Sequence, residues 1–296
     1  MSKTINFILL QANVVFNQQL SLFGNQYDDT KEGRNSAFID TINKVIEKRV
    51  IRISPRVSEY ILVYKASISN NIIYCQLAKK TSLDTYTLTD TAIEQGSIDT
   101  YPPLDVFINT KYQQIAVQLN TAVLSVTAIV KNIKNLINSV SKDFSIFFNT
   151  IEDKKEFWDL VSNDELIKEI SFDLVVPNFF GATEAASKLV SGAKNELNAD
   201  SVELRLKNKR GGLKASINAI DSYVKYASTS GTWKLKTKVA GDTKYHIINS
   251  TDLCKKKEVE ETILELVRKL DDNGQIGKEL YNGLLERLDD LFEYEE

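Results

Sequence analysis

The chain has 296 residues, 43% hydrophobic and 26% charged, with 37 Lys+Arg against 40 Asp+Glu. That is the composition of a folded protein long enough for two ordinary domains, and it excludes intrinsic disorder and collagen-like structure. The formal net charge of −3 conceals a partition: 204–244 carry 10 Lys+Arg against 2 Asp+Glu, whereas 143–203 carry 5 against 13 and 258–296 carry 4 against 13, so a cationic block sits between two acidic ones.

The longest weakly polar runs, such as 121-TAVLSVTAIV-130, fall short of the roughly 20 residues a spanning helix needs. The start, 4-TINFILLQANVVF-16, is too interrupted by Asn and Gln to serve as a signal peptide. A cytoplasmic protein without membrane insertion is expected. Cys75 and Cys254 lie far apart with no CxxC spacing, so neither a disulfide framework nor a zinc site is indicated. One buried and one surface thiol are expected.

The first half reads mainly as strands. Apolar runs rich in Ile, Val, Tyr and Phe recur at 4–11, 60–68, 72–80, 104–110 and 112–119, the composition favoured in sheets. Asn70–Asn71 predicts a hairpin turn between the second and third runs, and Thr110–Lys111 a turn between the last two. A stripe of Phe38, Ile42, Val45 and Ile46 predicts a helix over 34–50. The polar stretch 25–34 before it reads as a mobile loop, and a second helix is expected over 121–140.

From 143 onward strand and helix alternate. Strands are predicted at 144–151, 169–177, 202–208, 232–240 and 244–250, with helices at 153–163, 182–198 and 215–228. Such alternation argues an α/β or α+β layer with helices on the sheet. Two amphipathic helices close the chain near 258–270 and 276–294, broken at 271-DDNG-274. Ile263, Leu264, Val267 and Leu270 are expected to meet Leu280, Leu284, Leu288 and Leu291, packing the hairpin on its parent domain or on a second copy. The whole reads as α+β: a β-rich domain (1–142), an α/β domain with one open sheet face (143–257) and an acidic helical hairpin (258–296).

Motifs for chemistry are scarce. His246 is the one histidine, which removes HExxH-type sites and most zinc hydrolases. It is read as a partly buried strand residue or one near the basic face. There is no GxSxG elbow, no GxGxxG, and no GxxxxGK[ST]; 181-GATEAASK-188 has Ala where the second glycine must sit. No cofactor or metal is expected. In 204-LRLKNKRGGLKAS-216, Gly211–Gly212 precede a helix, an arrangement able to expose amides to an anion, although the same pair also simply turns a strand into a crossover. A magnesium-dependent nuclease needs an Asp and then a Glu-x-Lys on a neighbouring strand. Asp105 and 203-ELR-205 are loose echoes of that pattern.

Binding is better supported. A period of two places Val202, Leu204 and Leu206 on one side of a strand and Arg205, Lys207 and Lys209 on the other. In the later strand Trp233, Leu235 and Thr237 alternate with Lys234, Lys236 and Lys238. The helix between them carries Ile217, Ile220, Val224 and Ala227 at helical spacing and can cover the apolar side. If both strands share a sheet, their cations share its uncovered face, with neighbours along a strand about 6.6 to 6.8 Å apart. Arg210 and Lys214 extend the patch at the turn. A second cluster, Lys44, Lys48, Arg49, Arg52 and Arg56, follows the first helix; together the clusters form a salt-sensitive, sequence-independent grip on nucleic acid if they line one cleft.

The order of a β-rich first half, the hairpin 102-PPLDVFINTKYQQIAVQLNT-121, a helix and strand, and the charged strand, Gly turn and helix of 202-VELRLKNKRGGLKAS-216 resembles the RexA family of phage-exclusion proteins and related antiphage-defence proteins. The resemblance spans about 60–250 and implies a dimeric, weakly sequence-specific DNA-binding protein. The acidic C-terminal hairpin is not matched by that family. The expected function is therefore nucleic-acid binding, DNA more than RNA, in phage defence or exclusion. The alternatives are a module that binds an acidic protein partner and a magnesium-dependent nuclease. The acidic tail, beside a patch of opposite charge, is also able to fold over that patch and mask it.

Overall fold

A computed structural model describes residues 3–16, 27, 30–55, 58–88, 90–141, 144–152, 154–163, 166–175, 185–197, 199–214, 217–238, 244–270 and 278–292. The chain is α+β with a β-rich first half, and every strand pairing among the described residues is antiparallel. Of the two layerings that strand–helix alternation allows, the α+β one is formed.

Strand β1 (Thr4–Phe16) is the spine. One of its edges carries β8 (Gln114–Gln118), followed outward by β7 (Pro103–Asn109), β4 (Ile72–Lys79), β3 (Tyr60–Ser67) and β2 (Val50–Ile53). The other edge is shared end to end. Thr4–Ile8 pair with β14 (Lys256–Glu260), and Leu10–Phe16 pair with β9 (Phe144–Thr150). Sheet pairing therefore joins Thr4–Phe16 to strands on both sides of the boundaries at 142 and 257.

Helices cover both faces of this large sheet. Ile8, Leu10, Ala12 and Val14 point into a core shared with α1 (Lys31–Lys48) and α2 (Val126–Asn138). Phe7 and Leu9 point the other way, under α6 (Glu261–Arg268) and α7 (Lys278–Asp289). A strand buried on both faces reads as a near-continuous apolar run, as this one does.

The C-terminal hairpin thus lies on the large sheet. Ile263, Leu264, Val267 and Leu270 are buried with Leu284, Leu288 and Leu291 as their spacing predicts, while the side chain of Leu280 and the break at 271–274 lie outside the described residues. Its apolar stripe is spent on Phe7, Phe107 and Tyr74, so the described part of the tail packs on the large sheet.

Caps correct the predicted helix starts. Thr30 Oγ1 accepts the Gly33 N–H at 3.0 Å, so α1 begins at Lys31, inside the stretch read as a loop. Ser125 does the same for Ala128 at 3.3 Å, which starts α2 after Thr121; such a side-chain acceptor satisfies an orphan amide of the first turn. At its other end α1 stops at Lys48, because Arg49 takes φ 55°, and Val50, the last residue of the predicted helix, opens a strand over Val50–Ile53 instead.

The small sheet has the order β11 (Ser201–Lys207), β10 (Leu166–Val175), β12 (Gly231–Lys238), β13 (His246–Asn249). One face is covered by α3 (Lys154–Asn163), α4 (Ala185–Leu197) and α5 (Ile217–Ser230), which bury Phe157, Val190, Ile220, Val224 and Ala227 against Ile170, Phe172, Trp233 and Leu235. Val15 of β1 joins the same core. Both thiols are buried, so the expected surface cysteine is not found; burial pushes Cys254 up to about 11 and Cys75 up to about 12. A further ribbon, β5 (Thr81–Leu88) with β6 (Ile93–Thr100), was not foreseen and pairs with neither sheet. No helix among the described residues is long and apolar enough to cross a membrane.

Candidate functional site

The two basic strands lie in one sheet, with β10 inserted between them. Cross-strand partners share a face, so the register sets three rows across the uncovered side. Lys207, Glu169 and Lys236 form the first, continued by Ile247 of β13; Arg205, Ser171 and Lys234 form the second, continued by Asn249; Glu203, Asp173 and Thr232 form the third. Strands are about 4.8 Å apart and rows about 6.8 Å apart. The predicted cations Arg205, Lys207, Lys234, Lys236 and Lys238 thus do share a face. The middle strand adds two carboxylates to it, and Glu203 of β11 a third.

Glu169 and Asp173 were missed, although 169-EISFDLV-175 alternates Glu, Ser and Asp with Ile, Phe and Leu as plainly as the basic strands do. Glu169 lies 3.2 Å from Arg205 Nε and 3.1 Å from Lys207 Nζ. The hydrogen bond from Lys207 and the surrounding cations hold its carboxyl below the usual range. Glu203 lies 3.4 Å from Arg205 Nη2. Asp173 behaves oppositely: burial, reinforced by Glu203 across the strand, raises its carboxyl.

Ser171, Asp173, Glu203, Arg205, Thr232 and Lys234 border an open depression of about 320 Å³. It offers two cationic heads and two hydroxyls in or beside a row of carboxylates, a surface for a polar ligand of mixed charge. A lysine that sequence reasoning passed over, Lys134 of α2, sits 3.7 Å over the Phe147 ring. Desolvation lowers its ammonium, opposed by the fields of Asp173 and Asp200.

The described amides of the double-glycine loop are largely engaged within the chain. Asn208 Oδ1 already accepts the N–H groups of Arg210 and Gly211 at 3.1 and 2.9 Å, and Lys168 Nζ donates to the carbonyls of Lys209 and Gly211. A Cβ on Gly212 would meet the Leu166 side chain at 2.6 Å, whereas one on Gly211 would come no nearer than 3.4 Å to Asn208, so Gly212 is the close-packed residue of the turn. Lys209, Arg210 and Lys214 are exposed in this loop, beyond the end of β11.

Lys48, Arg49 and Arg52 sit at the β2 edge, the far end of the large sheet in strand order from β14 and β9. Arg52 Nη1 is 3.1 Å from Glu59, and Arg56 lies outside the described residues. His246 is exposed on β13 and not partly buried. Asp105, one half of the nuclease echo, is buried in the large sheet, accepting from Tyr74 at 2.7 Å and from Arg268 at 3.1 and 2.5 Å. Glu203 belongs to the other sheet, so the two do not form one site. No group of three or more His, Cys, Asp or Glu able to hold a metal occurs among the described residues.

No protein-family model matches the chain, and no curated protein matches it either.

Proposed function

We propose that the protein binds nucleic acid, DNA in the first instance, through the open face of the small sheet. One observation supports this reading: Arg205, Lys207, Lys234, Lys236 and Lys238 share the face opposite α3, α4 and α5, and all five are exposed or half-buried. Lysine and arginine contacts to phosphates fix position without reading bases, so sequence preference is weak and affinity falls steeply with salt. A cytoplasmic role in phage defence or exclusion extends this proposal on the resemblance over about 60–250 alone, carried by the hairpin 102–121 and by 202–216.

The test is a binding titration of the protein with duplex DNA, single-stranded DNA and RNA at two salt concentrations. Reversal of Lys234, Lys236 and Lys238 to Glu abolishes binding in this reading; retained binding removes the site. A second reading, a protein partner on the same face, is favoured by Ile247 and Tyr245, apolar side chains 65% and 40% exposed beside Lys236. Absence of binding to all three nucleic acids leaves that reading in place.

A further inference from the structure

The β5–β6 ribbon has an unusual surface for a segment without a partner sheet. Isolated two-stranded ribbons are marginal in water, yet this one leaves Leu83, Tyr86, Leu88, Ile93 and Ile98 between 57% and 80% exposed. Register places Tyr86 beside Gln95 and Leu88 beside Ile93, on the face that also carries Asp84. Residues 81–100 contain Asp84, Asp90, Glu94 and Asp99 and no Lys, Arg or His. Among the described residues of the ribbon only Asp99, at the base, lies in a salt bridge, with Lys80 at 2.7 Å.

An apolar end flanked by unopposed acids fits a cationic surface that also shows apolar side chains. Like charge disfavours a second ribbon, a phosphate backbone and an anionic lipid surface alike. The chain itself presents the complementary chemistry. On the β12–β13 side of the small sheet, Lys236 pairs across the strands with exposed Ile247, and its ammonium sits 5.6 Å from the Tyr245 ring centroid, with Lys234 and Lys238 on the same face. Beyond them β13 is a four-residue edge strand, and a sheet edge accepts an added strand through its backbone groups.

We infer that the β5–β6 ribbon of one copy docks by its Tyr86, Leu88 and Ile93 end on the Lys234, Lys236, Lys238 and Ile247 side of the small sheet in a second copy. The two surfaces differ, so the contact is heterologous: each copy carries one ribbon and one acceptor. This self-association is independent of whether the face also binds nucleic acid.

The test is sedimentation velocity of the full chain without nucleic acid. The wild type is expected above monomer mass, falling toward it on dilution and in high salt. A ribbon variant (Tyr86→Ser, Leu88→Ser, Ile93→Ser) and a face variant (Lys234→Glu, Lys236→Glu, Lys238→Glu) are each expected to be monomeric with unchanged circular dichroism. Mixed together they are expected to form a 1:1 complex, because one retains the acceptor and the other the ribbon. A monomeric wild type, a face variant that still self-associates, or a mixture that stays monomeric overturns the inference. None of these outcomes depends on a DNA-binding result.

Discussion

Glu169 and Lys207 meet on the uncovered side of the small sheet at 3.1 Å, so the central strand neutralises part of the cationic face it separates. Arg205 lies 3.2 Å from the other oxygen of the same carboxylate. If the face grips phosphates, Glu169 opposes that grip. Glu169→Gln is expected to tighten duplex DNA binding about tenfold and to steepen its salt dependence by about one counterion. A titration at two salt concentrations reads both; affinity at or below wild type counts against the site.

Arg268 ties the C-terminal hairpin to the large sheet through Asp105, whose side chain is 2% exposed. The same carboxylate raises the Tyr74 hydroxyl, after burial itself. Removing one partner of such a pair strands the other charge; for a fully buried pair this costs about 3–5 kcal/mol. Arg268 is 39% exposed, so Arg268→Met is expected to cost about 2 kcal/mol. Asp105→Asn added to it should recover part of the loss in urea unfolding, because no unpaired charge remains.

Glu152 makes stability depend on pH. Burial pushes its carboxyl up to about 7, with the hydroxyls of Ser250 and Thr150 holding it back in part, and its Oε2 has no hydrogen-bond partner. A carboxyl raised in the folded state contributes stability fully present below its unfolded pKa near 4.5, and that contribution is lost as pH rises toward 7. The loss is about 3 kcal/mol over that window. Glu152→Gln is expected to flatten the dependence and to be more stable than wild type at pH 8. Parallel thermal melts at pH 5 and pH 8 that shift equally for both proteins would show that Glu152 is not responsible.

Gly231 opens β12 where α5 ends against β10. A Cβ there would lie 2.4 Å from the Asp173 carbonyl oxygen, 3.2 Å from Leu174 Cα and 3.3 Å from Ala227 Cα. All three are backbone atoms, which cannot rotate away. Gly231→Ala is expected to destabilise by about 2 kcal/mol. The row of Glu203, Asp173 and Thr232 should shift with it, so the midpoint in urea and the chemical shifts of these residues would move together.

Much of the small sheet was legible along the chain. Alternation in 202–207 and 233–238 assigns Leu204, Leu206, Trp233 and Leu235 to the covered face and Arg205, Lys207, Lys234 and Lys236 to the open one, because successive side chains of a strand point to opposite sides. The stripes of α5 and α6 and the turn at Asn70–Asn71 are local in the same sense. The β5–β6 ribbon was not legible, since neither of its faces is buried and no apolar period marks it.

Strand order and register belong to the tertiary structure. Whether β11 borders β12 depends on which distant segments pair, and that is decided by packing under α3, α4 and α5, not by any local period. Inserting β10 between the basic strands turns a patch that reads as purely cationic into alternating rows of Lys, Arg, Glu and Asp. A slip of one residue in β10 would instead send Glu169 and Asp173 into the core. The residue types on each face were determined by the sequence alone; which charges stand opposite one another was decided by long-range pairing.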